Sequence, residues 1–161
     1  MHGRTLLVAV SVGILTATPL VACQGPVACP AIAAAPFLTI HITENLAARL
    51  NPLSVTATAC QDNGCHDGPL ALTEEQPASP GAQSAAAASP LTGKVGRINM
   101  GLLTETPIDL TVAGHDLLGT GIGPHRLQFA PNISYPWGYG CPRVVTADAT
   151  WDTTGLRRSG P

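Results

Sequence analysis

The chain is short of charge. Asp, Glu, Lys and Arg together make up 11% of its 161 residues, and Lys94 is the only lysine. The formal net charge is −2, which excludes both a basic surface tracking nucleic acid and an acidic solvating tail. Aromatic residues contribute only 4%, so any core must be thin. Outside the N-terminus no long segment repeats apolar residues at i, i+3, i+4 and i+7, which argues against a helical bundle. Enzyme signatures are missing as well: there is no Gly-x-Ser-x-Gly elbow, no His-Glu-x-x-His pair and no phosphate loop. The glycines at 119, 121 and 123 suggest a nucleotide loop, but Pro124 follows at once and no helical pattern comes after it. They read as a flexible turn. The length suits one domain with accessories.

What is present begins with an export signal. Met1, His2, Gly3 and Arg4 form a short n-region, residues 5–15 form an uncharged apolar run, and Leu20, Val21, Ala22 and Cys23 close the segment. The layout is that of a secretory signal. Pro19 ends the apolar run too early for a membrane span. The last four residues resemble the lipobox of bacterial lipoproteins. The resemblance implies cleavage between Ala22 and Cys23 of the 1–22 signal peptide, a diacylglyceryl thioether on Cys23, and acylation of the new N-terminus. Such a product is exported and lipid-anchored on the outer face of a membrane, because two or more acyl chains hold stably where one does not. Cysteine number agrees. Of five cysteines, lipid on Cys23 leaves Cys29, Cys60, Cys65 and Cys141, an even set for an oxidising compartment.

Residues 23–28 then form a very short lipidated tether, and 29–155 the domain. Period-two alternation recurs along it: Leu38, Ile40 and Ile42 against Thr39, His41 and Thr43; Leu53, Val55, Ala57 and Ala59 against Ser54, Thr56, Thr58 and Cys60; Ile98, Met100 and Leu102 on one face; Ile108, Leu110 and Val112; Leu127 and Phe129; Val145, Ala147, Ala149 and Trp151. Gly, Pro and Asn separate the runs. Six or seven strands at this spacing, apolar on one side and Thr-rich on the other, predict an all-β fold, a small antiparallel sandwich. Residues 74–93, rich in Ala, Ser and Pro, read as a flexible loop within the domain whose hydroxyls offer sites for O-linked sugar. Residues 156–161 read as a disordered tail, with Arg157 and Arg158 near anionic lipid. The Asn132-Ile133-Ser134 sequon is read as chance in a bacterial lipoprotein.

Cys60 and Cys65 enclose Asp62, Asn63 and Gly64. Asn-Gly is a strong hairpin-turn signal, so the two cysteines are expected to face each other in a local disulfide. Cys29 and Cys141 would then staple the two ends of the domain. Four cysteines allow three connectivities, and this is the preferred one. The order of these features, with the Cys60–Cys65 strand-and-turn, a variable loop, the strand beginning Ile108-Asp109-Leu110, and a late Cys141 before a final strand, resembles a group of small exported actinobacterial lipoproteins. That resemblance implies an immunoglobulin-like or related β-sandwich and carries no activity. The longer loop and the segment around Pro136-Trp137-Gly138 depart from the group's pattern.

Three chemical readings remain. Cys60, Cys65 and His66 are a stretched version of a c-type haem attachment site, with Met100, His115 or His125 as distal ligand, and make a haem or redox protein the first alternative. A hydrolase with a site unreadable in sequence is the second. Zinc or copper on His41, His66, His115 and His125 lacks any close ligand pair, and Asp62, Asn63 and Asp67 lack the spacing of a calcium loop, so no metal is expected. For binding, Tyr135, Trp137 and Tyr139 stand out: three of the six aromatics lie here, interleaved with Gly and Pro. They either contact a glycan, an envelope protein or a membrane interface, or cover the Cys141 disulfide. The overall expectation is a non-catalytic envelope interaction or structural module with no cofactor beyond the lipid.

Overall fold

The structure, a computed structural model, describes residues 28–30, 36–75 and 93–160. The signal segment, Cys23, most of the tether and most of the 74–93 loop lie outside the described residues. Among the described residues ten strands build two sheets: β1 Phe37–Ile42, β2 Thr56–Gln61, β3 Gly64–Pro69, β4 Leu72–Glu74, β5 Lys94–Asn99, β6 Ile108–His115, β7 Gly121–Phe129, β8 Asn132–Ser134, β9 Val144–Asp152 and β10 Gly155–Arg158. One sheet runs β10-β9-β1-β5-β4, with β8 also on β9; the other runs β3-β2-β6-β7. The chain is an all-β sandwich. Its pairings are antiparallel except β1 with β9, which is parallel from Leu38↔Ala147 to Ile42↔Trp151. A parallel pair needs a long crossover, and here most of the domain lies between the two strands.

The alternation written into the sequence sorts the faces. Leu38, Ile40 and Ile42 of β1, Ala57 and Ala59 of β2, Ile108, Leu110 and Val112 of β6, and Ala147, Ala149 and Trp151 of β9 share one buried core. Trp151 is the largest side chain in it, and small alanines on β2 and β9 leave it room among few other aromatics. Gly96 is required for a packing reason: a Cβ there would run into the Leu70 side chain, which crosses over it.

Several expectations need correction. The alternation at 53–60 begins too early, because Pro52–Ser54 forms a 3-10 turn that leaves Leu53 92% exposed. Met100 is buried but follows β5, and Leu102 beyond it is exposed. The tail is ordered through Arg158: β10 pairs with β9, setting Leu156 opposite Trp151 and packing it against the core. The glycines at 121 and 123 start a strand, entered through a cis Gly123–Pro124 peptide. β3, β4, β8 and β10 lack clean alternation because they are edge strands with few or no buried residues. No helix among the described residues is long and apolar enough to cross a membrane.

Candidate functional site at the tether end of the sandwich

Strand direction gathers one set of loops at one end of the sandwich. β1 and β9 begin there, β5 ends there beside Phe37, and Cys60 near the end of β2 lies opposite Asp109 near the start of β6. Two disulfides close this end. Cys29 is bonded to Cys141, with Cα atoms 5.5 Å apart and a sequence separation of 112. Cys60 is bonded to Cys65 directly across the β2–β3 hairpin, with Cα atoms 4.0 Å apart.

The hairpin shows how spacing selects register. Its central residues are Asp62 and Asn63, at φ 50° and 66°, and Gly64 already pairs with Gln61. Two consecutive positive φ values are those of a type I′ turn, which suits the strand twist. A turn centred on Asn63-Gly64, as the dipeptide signal suggests, would have put Cys60 opposite Asp67. The disulfide needs the turn one residue earlier. Asp62 holds that turn in place: its carboxylate accepts hydrogen bonds from the Thr104 and Thr106 hydroxyls, the latter at 2.6 Å. These donors lower its pKa below the ordinary carboxylate value. Beside it the buried Gln61 donates through Nε2 to the carbonyls of Thr104 and Thr106 and accepts from the Thr104 N–H. The 100–107 loop is thereby fixed to the hairpin. Glu105 in that loop pairs with Arg143 Nε at 2.6 Å, just past Cys141, so one polar chain links the two disulfide regions.

The aromatic segment lies between β8 and β9. Two short turns shape it, with Gly138 N–H donating to Tyr135 O and Cys141 N–H to Gly138 O. Gly138 sits at φ 86°, where a side chain is disfavoured. The rings of Tyr135 and Tyr139 meet with centroids 4.7 Å apart and planes tilted by 44°. Tyr139 is 88% exposed, Tyr135 is exposed too, and Trp137 is half-buried. None of the three belongs to the buried core: the two tyrosines project from the end of the sandwich, while Trp137 is partly covered and Cys141 is buried. Cys29 Sγ lies 3.7 Å from Gly140 O, at the foot of this loop.

Other titratable groups are elsewhere. His41 projects from the outer face of β1, with Nδ1 2.7 Å from Glu75 Oε1 and Nε2 3.9 Å from Asp148 Oδ1. Asp148 first, and Glu75 with it, raise the His41 pKa against the opposing effect of burial. The group borders an open depression that also involves Thr39, Thr73 and Arg97. His66 and His115 are exposed, and His125 of β7 packs edge-on to Trp151 with centroids 6.2 Å apart. Among the described residues no three His, Cys, Asp or Glu side chains form a group able to hold a metal. With Cys60 and Cys65 bonded to each other, neither sulfur is available for a thioether to haem unless the disulfide is first reduced.

Sequence reading missed Gln61, Glu75 and the Glu105–Arg143 pair. Gln61 had a signal: it continues the inward series Ala57, Ala59 and so places an amide in the core. Glu75 and Asp148 had none, since only the β1–β9 register and the course of the chain after β4 bring them to His41. No protein-family model matches this chain, and neither does any curated protein or solved structure.

Proposed function

We propose that this chain is an exported lipoprotein whose folded part is a non-catalytic interaction or structural module, held at the outer face of a membrane by lipid on Cys23. The Cys29–Cys141 disulfide is the observation that carries this reading. It bonds the sixth residue after the lipobox cysteine into the fold. An extended chain of that length reaches at most about 20 Å, so the domain is held against its anchor. Two disulfides also suit an oxidising, extracytoplasmic compartment, and they account for every cysteine except Cys23. Among the described residues Lys94 pairs with Glu74, Arg143 with Glu105 and Arg157 with Asp152, and His41 lies between Glu75 and Asp148 on the outer face of its sheet. Such pairs fit a module that recognises or spaces an envelope protein or glycan.

Intact mass of the protein extracted from membranes and alkylated without reduction tests the reading. The expected species begins at Cys23, is heavier by the lipid and carries no alkyl group. A species that is unlipidated and alkylated at Cys23 overturns the anchor; an added haem mass overturns the non-redox reading.

A further inference from the structure

We infer that the aromatic loop between β8 and β9 is a membrane contact, with Tyr135, Trp137 and Tyr139 resting in the headgroup layer of the bilayer that carries the lipid. The inference builds on the lipid anchor proposed above. It adds an orientation: the domain lies with its β8–β9 loop on the membrane and does not swing freely on its tether.

Three observations converge. The first is position. Tyr139 is two residues from Cys141, Cys141 is bonded to Cys29, and the sulfur of Cys29 lies 3.7 Å from Gly140 O. With Cys29 held within about 20 Å of the acylated residue, the loop is the part of the fold attached to the tether. The second is charge. Residues 127–142, which include the loop, contain no Asp, Glu, Lys, Arg or His, and neither do residues 24–28 that precede Cys29. Seating the loop in a bilayer therefore strips water from no ionised side chain of that segment. Charged groups flank it: the exposed carboxylates of Asp62, Glu105 and Asp109 lie on the β2–β3 and β5–β6 side of the same end and stay in water. Arg143 is exposed and paired with Glu105, and the exposed Arg158 donates to Asn132 of β8; both guanidinium groups are placed to meet headgroup phosphates.

The third is residue type. Tyr and Trp, with an apolar body and one polar atom, are the side chains that collect at the membrane–water boundary. Here two tyrosines are exposed beside a half-buried tryptophan, with Ile133 of β8 exposed next to them.

Tryptophan fluorescence of the full lipidated protein in vesicles tests this, using phospholipid labelled with a quencher close to the headgroup. Trp151 is wholly buried, so it supplies a constant background, which the Trp137→Phe variant measures alone. Intact mass first establishes that Cys23 is lipidated and sedimentation that the protein is on the vesicles. The expected result is that the Trp137 part of the emission is shifted to the blue and quenched by the shallow label, while Trp137→Phe shows neither change. A lipidated, vesicle-bound protein whose Trp137 stays unquenched and open to iodide overturns the orientation and leaves the anchor standing. A Trp137 response to envelope glycan fragments but not to labelled lipid overturns it in favour of a sugar site. Absence of lipid on Cys23 overturns the anchor and this inference together.

Discussion

The two ends of the sandwich are closed by different chemistry. At the tether end, two disulfides, the Gln61 amide and the Glu105–Arg143 pair lock three loops together. At the other end, where β1, β6 and β9 finish, closure relies on hydrogen bonds. Asp116 Oδ1 accepts from the N–H groups of Leu118 and Thr120, both at 2.8 Å, and Asp152 Oδ1 from those of Thr154 and Gly155. The short helix α1, Glu44–Ala47, and the Leu50↔Asp116 bridge complete it. The exposed side chains differ too. The end with the disulfides exposes Tyr135 and Tyr139 beside Ile133 and Leu102, the far end only the aliphatic Leu53, Leu117 and Leu118 among the large apolar side chains described. Covalent closure ties Cys29, ahead of the first strand, to Cys141 ahead of β9, and it supports long loops that a core with few aromatics holds weakly.

The contrast can be broken first at Cys29 and Cys141. Replacing both with Ser should cost about 4–5 kcal/mol, because the bond closes a loop of 112 residues in the unfolded chain. Thermal or urea unfolding reads this out, and an unchanged midpoint would mean that the staple adds nothing to the sandwich. Cys60→Ala with Cys65→Ala should cost less, about 2 kcal/mol, because the pair has a sequence separation of only 5 and the type I′ turn persists without it. Equal losses from the two pairs would show that loop length does not govern their effect.

His41 sharpens the comparison through pH. Asp148 and Glu75 raise its pKa in the folded state above 6.5. Its contribution to stability is therefore complete below pH 6.5 and fades as pH rises through the folded-state pKa. Melting temperature should fall over that interval in the wild type and fall less in His41→Gln; parallel curves would remove the histidine from the account. Asp62 and Asp116 act in the opposite sense at opposite ends. Their lowered pKa values contribute stability above pH 3.8 that is lost as acid protonates them. The smallest effect belongs to the far surface. Leu118 is 92% exposed, so Leu118→Asp should change stability by no more than about 0.5 kcal/mol. A larger drop in the melting temperature would mean that this end is covered in solution.

Much of the fold was legible because the central strands carry period-two alternation. β1, β2, β6 and β9 bury one face each, and the residues named for that face are the core, apart from Leu53 at the start of the β2 series and the partly buried Val145 at the start of the β9 series. Edge strands bury little and leave no such pattern, which is why β3, β4, β8 and β10 did not stand out. The candidate site was legible in its residue types and not in its geometry. An unusual run of aromatics could be seen at 135–139, but whether the rings pointed into the core or away from it could not.

The sequence by itself determined the export-signal pattern, the all-β class, the inward faces of the central strands and an even set of domain cysteines, because each of these is a local pattern or a count. Tertiary structure decided which strands became neighbours and therefore everything that depends on register. It set the parallel β1–β9 pair that brings Asp148 to His41, placed the turn at Asp62-Asn63 so that Cys60 and Cys65 can bond, and gathered both disulfides and the projecting aromatics at one end. Those placements come from packing two sheets around Trp151 and its small neighbours, a constraint between residues far apart in the chain that no local pattern records.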